Sequence, residues 1–276
     1  MEMGPERNDE GYVMQLQNFS VNDGEGIRTT IFLCGCPLDC IWCCNPENTR
    51  GFDGIHHRTV KEIDRVISRQ SVFYRRCGGG ITFSGGEATV QQGFLRSLAE
   101  HFYDKGYHLS IETCGVFEFD EVKDILEKMD MIFLDIKMMD SGVHRLFTGR
   151  GNEQILYNAE QIEKRLRVPM VLRIPVISGV NACPENISRT CLFLKEHVPS
   201  AKLEFLPYHR FGTDKYKELE LPSPDERYGE RRDCHPEGSI PEWFSWEKEM
   251  EVPSEECLRH CRKIAEDLGV EVVLYR

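Results

Sequence analysis

The stretch RTTIFLCGCPLDCIWCC, residues 28–44, decides the fold because a strand-like run leads directly into a dense group of cysteines. Thr29 to Leu33 are β-branched or apolar, which is the composition of a buried strand. Cys36, Cys40 and Cys43 follow, separated by three and then two residues. In sheets of parallel strands, chemistry gathers at the carboxyl ends of the strands. The cysteine loop therefore predicts a functional site at the edge of such a sheet.

Similar runs recur along the chain and alternate with segments of helical period. The predicted strands are Thr29–Leu33, Gly80–Phe83, His108–Glu112, Met131–Ile136, Val171–Val176, Leu203–Leu206 and Val270–Tyr275. Apolar residues at helical spacing mark helix faces at 60–67, 94–102 and 122–129. Apolar strands followed by amphipathic helices favour a parallel sheet covered by helices. We therefore expect an α/β fold, and a full or partial α/β barrel fits the pattern best.

One stretch interrupts this alternation. From about 212 to 252 the chain is rich in charged residues, proline and turn formers, which predicts a long loop or insertion. Trp243, Phe244 and Trp246 within it indicate that part of the stretch packs on other residues. A chain of 276 residues suits one α/β barrel. We therefore expect residues 1–276 to form a single domain that carries this insertion.

The composition excludes several classes of function. Hydrophobic residues make up 40% of the chain and charged residues 29%, as in soluble globular proteins. The sequence has no apolar run near the roughly 20 residues of a membrane helix, and its polar start does not resemble a secretory signal. The net charge of −12 argues against a nucleic-acid partner. We expect a cytoplasmic protein, with no membrane span, that acts on small molecules or proteins.

The spacing of the cysteines favours an iron–sulfur cluster. In the reducing cytosol, the chain's 12 cysteines are metal ligands or buried apolar residues more readily than disulfides. Three thiolates in so short a loop can each bind one iron of a cube and leave the fourth iron open. Structural zinc is the alternative, but it takes four ligands, commonly as two Cys-x2-Cys pairs. Cys34 and Cys44 could replace a neighbour by spacing alone, although packing explains both.

A second candidate site follows the predicted strand Gly80–Phe83, where the sequence reads Ser84-Gly85-Gly86-Glu87. Glycines let the backbone approach a ligand, and a carboxylate beside them can pair with a ligand ammonium group. A Gly-Gly pair alone is more often a turn, so its position at a strand end is what makes it a candidate. Asp135 and Lys137 also end an apolar strand, either as a structural ion pair or as part of a site.

The spacing Cys36-x3-Cys40-x2-Cys43 after a first strand resembles the signature of the radical S-adenosylmethionine superfamily. Further strings in the same order resemble one branch of it, the glycyl radical enzyme activating enzymes. These strings are VNDGEGIR (21–28), GGGITFSGGE (78–87), ETCG (112–115), DIK (135–137), LFTGRGN (146–152), LRIPVISGVN (172–181) and LPYHRFGTDKY (206–216). The ordered set is far more specific than any single string.

This resemblance implies a partial parallel (β/α)6 barrel with one oxygen-sensitive [4Fe-4S] cluster on Cys36, Cys40 and Cys43. It also implies that S-adenosylmethionine binds the open iron and is cleaved reductively to a 5′-deoxyadenosyl radical. That radical would remove a Cα hydrogen from a glycine of a partner glycyl radical enzyme. Flavodoxin or ferredoxin would supply the electron, and we expect the protein to be a monomer.

The resemblance also implies roles for individual residues. The residues expected to line the S-adenosylmethionine pocket or lie beside the cluster are Trp42, Asn45, Gly85, Gly86, Glu87, Lys137, Arg173 and His209. Glu112, Thr113 and Asp135 match positions that supply oxygen ligands to a monovalent cation such as Na+ or K+, and oxygen donors suit a hard cation. Asp23 matches the edge where the target glycine loop docks.

The chain departs from the family pattern at two positions, where Glu25 and Ala88 replace proline. Proline fixes φ, so we expect both loops to be looser, and Glu25 adds a charge where the partner docks. The ferredoxin-like insert of many family members is absent, since only Cys77 lies between Cys44 and Gly78. We therefore expect one cluster.

The cysteines near the carboxyl end leave an alternative open. Cys257 and Cys261 share a helix face with apolar residues, so packing explains them. An auxiliary cluster that includes Cys234 is the other interpretation.

Two other functions remain open at this point. The radical could act on a small molecule or a free peptide, with the insertion at 212–252 as a lid. The protein could also be an iron–sulfur or zinc scaffold that does not cleave the cofactor.

Overall fold

The computed structural model describes residues 8–49, 55–234, 240–241, 243–244, 246 and 249–275. Within these residues the backbone forms one sheet of nine strands. The strands are β1 (Glu10–Ser20), β2 (Arg28–Leu33), β3 (His56–Thr59), β4 (Gly80–Gly85), β5 (His108–Thr113), β6 (Met131–Asp135), β7 (Met170–Val176), β8 (Lys202–Pro207) and β9 (Val272–Val273).

Helices connect the strands and cover the sheet. They are α1 (Val60–Cys77), α2 (Gln92–Asp104), α3 (Phe119–Leu126), α4 (Ser141–Thr148), α5 (Glu153–Arg165), α6 (Pro184–His197), α7 (Thr213–Glu218), α8 (Pro224–Cys234) and α9 (Glu255–Asp267). Short 3-10 helices lie at Pro46–Thr49 and Ala88–Gln91. Among the described residues, none of these helices has the length and apolar character that crossing a membrane requires.

The sheet is mostly parallel, as the sequence predicts. Its order is β3-β1-β2-β4-β5-β6-β7-β8-β9, and β2 and β4 to β9 pair in parallel. β1 and β3 add two antiparallel strands at one edge. These were not predicted, because polar residues on both faces of an edge strand weaken the apolar alternation. The sheet begins at β3 and ends at β9, so the fold is α/β with a partial barrel.

Alternation along the strands gives the barrel a polar interior. On one face of β4 to β8, residues such as Phe83, Ile111, Leu134 and Ile174 enter the main hydrophobic core beneath the helices. The residues between them face the opposite side of the sheet. That inner set is Thr82, Ser84, Ser110, Glu112, Phe133, Asp135, Arg173 and Glu204. The apolar face of the sheet therefore packs against the helices, and the polar face lines the interior of the barrel.

From the sequence, Ser254 and Asp120 are the expected N-caps of the last and third helices, and Gly269 is the expected C-terminal residue of the last helix. Ser254 caps α9 through a hydrogen bond from the Cys257 backbone N–H at 3.1 Å. Gly269 follows this helix with a φ of +71°, a left-handed conformation that glycine adopts without strain. The third helix begins at Phe119, so Asp120 lies in its first turn and is not its N-cap.

The stretch at 212–252 is more structured than its composition predicts, since it contains α7 and α8. Its aromatic residues build a second hydrophobic core, which includes Trp42 of the cysteine loop and Phe147 of α4. The Phe147 ring stacks on Tyr228 and contacts Phe244 and Trp246, with ring centroids 5.6–5.9 Å apart. The packing predicted for the aromatic residues of this stretch is confirmed. Part of the stretch lies outside the described residues.

Candidate active site

The cysteine loop leaves the carboxyl end of β2 and is held by backbone hydrogen bonds. The Asp39 N–H donates to the Thr148 carbonyl at 2.8 Å, and the Ile41 N–H donates to the Phe147 carbonyl at 3.1 Å. These are carbonyls at the end of α4, which otherwise lack helical partners. The loop thus takes a defined path over the sheet edge.

A cavity of about 840 Å³ opens over this loop. Its lining includes Cys36, Cys40 and Cys43 together with Gly85 and Gly86. The volume lies within the range of small-molecule sites, roughly 300–1,000 Å³. Residues from the cysteine loop, from the end of β4 and from α7–α8 therefore meet at one concave surface. Its thiol groups are candidate iron ligands.

Burial affects these thiols. It raises the pKa of the Cys43 thiol to about 11, and it raises the pKa of the Cys40 thiol by more than that of Cys43. Iron binds the thiolate form, so cluster assembly at neutral pH releases protons from these residues.

The glycine pair allows two backbone segments to approach closely. Gly85 has a φ of +133°, and a Cβ atom there would lie 2.0 Å from the Leu33 carbonyl oxygen. A Cβ atom on Gly86 would lie 2.3 Å from the Gly35 carbonyl oxygen. Any side chain at either position would push the end of β4 away from the cysteine loop.

Glu87 turns away from the cavity and binds the end of β5. Its carboxylate accepts hydrogen bonds from the Cys114 backbone N–H at 2.6 Å and from the hydroxyls of Thr89 at 2.7 Å and Thr113 at 2.9 Å. The residue is 1% exposed. Glu87 and Thr113, predicted for the cofactor and for a cation respectively, are thus partners of each other in this structure.

A charge network occupies the barrel interior around Arg173. Its guanidinium donates to Glu204 at 2.7 Å and to Glu112 at 2.5 Å, and it lies 3.7 Å from the centre of the Phe133 ring. Burial acts to lower the pKa of Arg173, but the two carboxylates outweigh it and raise the pKa. The Nη2 atom of Arg173 is buried without a hydrogen-bond partner among the described residues. One strong donor is thus left for a ligand.

Glu112 also accepts a hydrogen bond from the Ser84 hydroxyl at 2.6 Å. Burial raises the pKa of Glu112, and the charge of Arg173 opposes that rise. Two protein donors already satisfy this carboxylate.

Asp135 and Lys137 form an ion pair of 2.6 Å between Oδ2 and Nζ. Burial acts to lower the pKa of Lys137, but Asp135 and the nearby Cys40 outweigh it and raise the pKa. The pKa of Cys36 is lowered first by its hydrogen bond with Cys114 and also by this ammonium charge, which opposes the rise in the pKa of Cys43. Lys137 therefore lies close to the cysteine loop and keeps its charge.

The remaining cofactor candidates, Trp42, Asn45 and His209, lie outside the lining of the cavity. The Trp42 ring packs against Phe147 in the second core, with centroids 6.1 Å apart. Asn45 accepts a hydrogen bond from Lys215 at 3.0 Å. His209 is exposed and stacks on Phe211, with ring centroids 4.5 Å apart. Trp42 is thus the buried member of this group.

Asp23 lies at the other end of the barrel. It belongs to the loop before β2, whereas the cysteines follow that strand. Its carboxylate accepts hydrogen bonds from Ser20 at 2.7 Å and from the Thr30 hydroxyl. Asp23 and the cysteines are therefore separated by the length of one strand.

Sequence reasoning missed several residues of the interior. Arg28 is 0% exposed and donates to Thr82 at 2.6 Å, to the Ile81 carbonyl at 2.6 Å and to Ser110 at 2.9 Å. Burial lowers the pKa of Arg28 to about 10. Its position two residues before Thr30, on the inward face of β2, is the signal that could have identified it.

Two further residues contact the predicted site. Cys114 hydrogen-bonds with Cys36, and this contact, together with burial, raises the pKa of Cys114. Glu204 completes the partners of Arg173. Neither residue stands out by spacing, because each becomes a neighbour only across strands.

The carboxyl-terminal cysteines behave as packing residues. Cys261 belongs to the main core, Cys257 packs against it, and Cys234 lies exposed at the end of α8. In the part of the chain that the structure describes, no three His, Cys, Asp or Glu side chains converge as the ligands of a single metal ion would. This holds for Cys36, Cys40 and Cys43 as well, and in an iron–sulfur cube each of these thiols would bind a different iron.

Comparisons with known proteins identify a protein family and several similar proteins. The family model described as Radical SAM superfamily matches residues 30–191, which include the cysteine loop and the glycine pair. The isethionate sulfite-lyase activating enzyme of Oleidesulfovibrio alaskensis is 32% identical over 275 residues, covering 78% of this chain and 88% of that protein. The pyruvate formate-lyase-activating enzyme of Clostridium pasteurianum is 32% identical over 211 residues, covering 76% and 87%.

A solved structure is also similar. It is a domain of pyruvate-formate lyase-activating enzyme from Bacteroides vulgatus, with 28% identity and a TM-score of 0.53. The match covers 71% of this chain and 98% of that one.

Proposed function

The chain belongs to the radical SAM superfamily, in its branch of glycyl radical enzyme activating enzymes, and we propose how its residues carry out that activation. The observation that carries the proposal is the shared cavity, where three cysteines meet the glycine pair of β4. The relatives are activating enzymes, which favours activation of a protein partner over action on a small molecule.

The residues fit the cofactors of this family. Cys36, Cys40 and Cys43 would hold a [4Fe-4S] cluster, because they are thiols that line one cavity of suitable volume. Gly85 and Gly86 would hold the end of β4 against the cysteine loop beside S-adenosylmethionine, because a Cβ atom at either position would collide with the carbonyl oxygen of Leu33 or Gly35. When bound, the reduced cluster supplies the electron that splits S-adenosylmethionine into methionine and a 5′-deoxyadenosyl radical.

The chain's own groups would orient the cofactor. The unpartnered Nη2 of Arg173 would donate to an oxygen of S-adenosylmethionine, and Lys137 would attract its carboxylate. Trp42 and the second core would exclude water from one side of the cluster. Asn45 and His209 would complete the rim of the site.

The role of Glu87 is positional in this proposal. Its carboxylate already accepts several hydrogen bonds from β5 and the turn after β4. It would fix the glycine pair, while backbone carbonyls would receive the ligand's amino group. A monovalent cation beside Glu112, Thr113 and Asp135 stays a prediction, because Glu112 and Thr113 already have protein partners.

The partner would reach the cofactor from the opposite end of the barrel. Asp23 lies at the amino end of β2, and the inward-facing side chains between that end and the cysteine loop are mostly polar, with Arg28 fully buried among them. A glycine loop that docks on Asp23 would enter there and present its Cα hydrogen to the radical. We further propose a cytoplasmic monomer that receives its electron from flavodoxin or ferredoxin.

The test uses the anaerobically reconstituted protein, S-adenosylmethionine, a low-potential reductant and a glycyl radical enzyme from the same genome. We expect 5′-deoxyadenosine by chromatography and a glycyl radical signal from the partner by electron paramagnetic resonance. Formation of 5′-deoxyadenosine without a glycyl signal from any such enzyme of that genome would contradict activation of a protein partner.

A further inference from the structure

The helix pair α7–α8 contacts the cysteine loop through the loop's backbone. The Tyr216 hydroxyl donates a hydrogen bond of 2.8 Å to the carbonyl oxygen of Cys43. Tyr216 is 1% exposed and is among the largest fully buried side chains. The Tyr216 hydroxyl also hydrogen-bonds with Arg227. A buried hydroxyl held in this way fixes the direction of the carbonyl to which it donates.

Arg227 of α8 makes a second set of contacts to the same loop. Its guanidinium donates to the Cys40 carbonyl at 3.3 Å and to the Asp39 carbonyl at 3.2 Å. It also pairs with the Asp39 carboxylate at 2.6 Å, and its side chain is only 16% exposed. Arg227 lines the cavity together with the three cysteines. A single planar cation therefore bridges the backbone of two loop residues and faces the cluster site.

The loop is thus held from two sides. On one side, carbonyls at the end of α4 accept from the backbone of Asp39 and Ile41. On the other side, Tyr216 and Arg227 donate to carbonyls of the loop, and Lys215 binds Asn45 at 3.0 Å and Glu47 at 2.7 Å. These contacts come from sequence distant from the cysteines, so they add rigidity that the short loop lacks by itself.

We propose that α7–α8 is part of the cluster site, with Tyr216 and Arg227 as positioning residues that determine how long the cluster is retained. We also assign to Arg227 an electrostatic effect on the reduction potential. A nearby positive charge stabilises the more negative, reduced cluster and so raises the potential. The inference rests on cluster binding, which the family establishes, and does not depend on the partner enzyme.

The experiment compares full-length reconstituted variants under anaerobic conditions. We expect Arg227→Gln to lose iron to a chelator about tenfold faster than the unchanged protein, the lower end of typical outer-shell effects. Its midpoint potential, from a titration followed by electron paramagnetic resonance, should be lower. Tyr216→Phe should also lose iron faster, with its potential unchanged because no charge is removed.

Two matched variants make the result interpretable. Arg232→Gln removes the same side chain from the same helix, where Arg232 pairs with its neighbour Asp233 at 3.4 Å. It should retain iron and potential as the unchanged protein does. Arg227→Lys keeps the charge but not the two-pronged geometry, so it should lose iron faster while retaining the potential.

Several results would overturn the proposal. Iron loss from Arg227→Gln and Tyr216→Phe at the rate of Arg232→Gln would remove the positioning role. Equal potentials in Arg227→Gln and the unchanged protein would remove the electrostatic effect, and so would an equal fall in Arg227→Lys and Arg227→Gln. None of these readouts involves the glycyl radical enzyme, so failure of the proposed activation would leave the test intact.

Discussion

At the scale of single residues, the three cysteines differ from their neighbours by position alone. Cys43 lines the cavity, whereas the adjacent Cys44 lies half-buried outside that lining. We predict that Cys43→Ala abolishes the cluster absorbance of the reconstituted protein and lowers its iron content to background, because a cube bound by two cysteines is labile. Cys44→Ala is the matched control and should keep its iron. Equal iron content in the two variants would contradict the ligand assignment.

A second residue-scale prediction concerns His144 in α4. Burial lowers the pKa of His144 to about 4, although the Arg150 carbonyl at 2.6 Å opposes the shift. The ordinary histidine pKa is about 6.5, so below that pH the unfolded chain binds a proton that the folded chain does not. The stability that the neutral ring contributes is therefore present above pH 6.5 and is lost as the pH falls toward 4.

The measurement is urea unfolding of the apoprotein at pH 7 and pH 5. The unchanged protein should lose about 2 kcal/mol more stability over this interval than His144→Gln does. All other titrating groups are common to both proteins, so the difference isolates His144. Parallel losses in the two proteins would show that the ring is not buried as described.

Site residues were predictable from the sequence where their separations along the chain are characteristic of a known kind of site. The cysteine triad and the glycine pair stand at strand ends with recognisable separations, and the structure brings them to one cavity. Arg28, Glu204 and Cys114 were not predicted, because their partners lie on other strands. Only the pairing of strands brings such residues together.

At the scale of elements, the parallel strands were the most predictable part. Strands buried by helices are apolar and β-branched, and the six strands β2 and β4 to β8 begin and end within two residues of the predicted bounds. The last strand was predicted as Val270–Tyr275 and is confined to Val272–Val273. β1 and β3 were not predicted, because β3 is the edge strand of the sheet and β1 lies next to it.

The stretch at 212–252 shows the limit of composition as a guide. Many of its charged residues lie on α7 and α8, whose solvent faces need no apolar pattern. Its few aromatic residues meet Phe147, which lies far away in the chain. A small aromatic core built from separate segments has no periodic signature, so the sequence predicted the packing but not the helices.

This second core supports an element-scale prediction. Phe147 is fully buried between Trp42, Tyr228, Phe244 and Trp246. Phe147→Ala should lower the free energy of unfolding by about 3–5 kcal/mol, through lost contacts and the cavity that remains. Urea unfolding of the apoprotein measures this change.

The control is another phenylalanine. Phe211 is 86% exposed, so Phe211→Ala should change the stability by no more than about 0.5 kcal/mol. A similar small effect of Phe147→Ala would mean that the aromatic residues of 212–252 do not pack on Phe147 of α4.

At the scale of the whole molecule, the two ends of the barrel carry different candidate sites. The cysteine loop and the glycine pair lie at the carboxyl ends of β2 and β4, and Asp23 lies at the amino end of β2. The polar interior between them contains the Arg173 network. In the proposed activation, a partner's glycine would approach the radical from the end marked by Asp23, while Trp42 and the second core would cover the cluster on the other side.

The central claim is that the radical formed at this site takes hydrogen from a glycine of a partner enzyme. The most direct measurement is mass spectrometry of the 5′-deoxyadenosine produced with a partner enzyme whose glycines carry deuterium at Cα. Our account predicts one deuterium in each molecule of 5′-deoxyadenosine formed during activation, and none with unlabelled partner. Unlabelled 5′-deoxyadenosine from a reaction that contains the deuterated partner would contradict it.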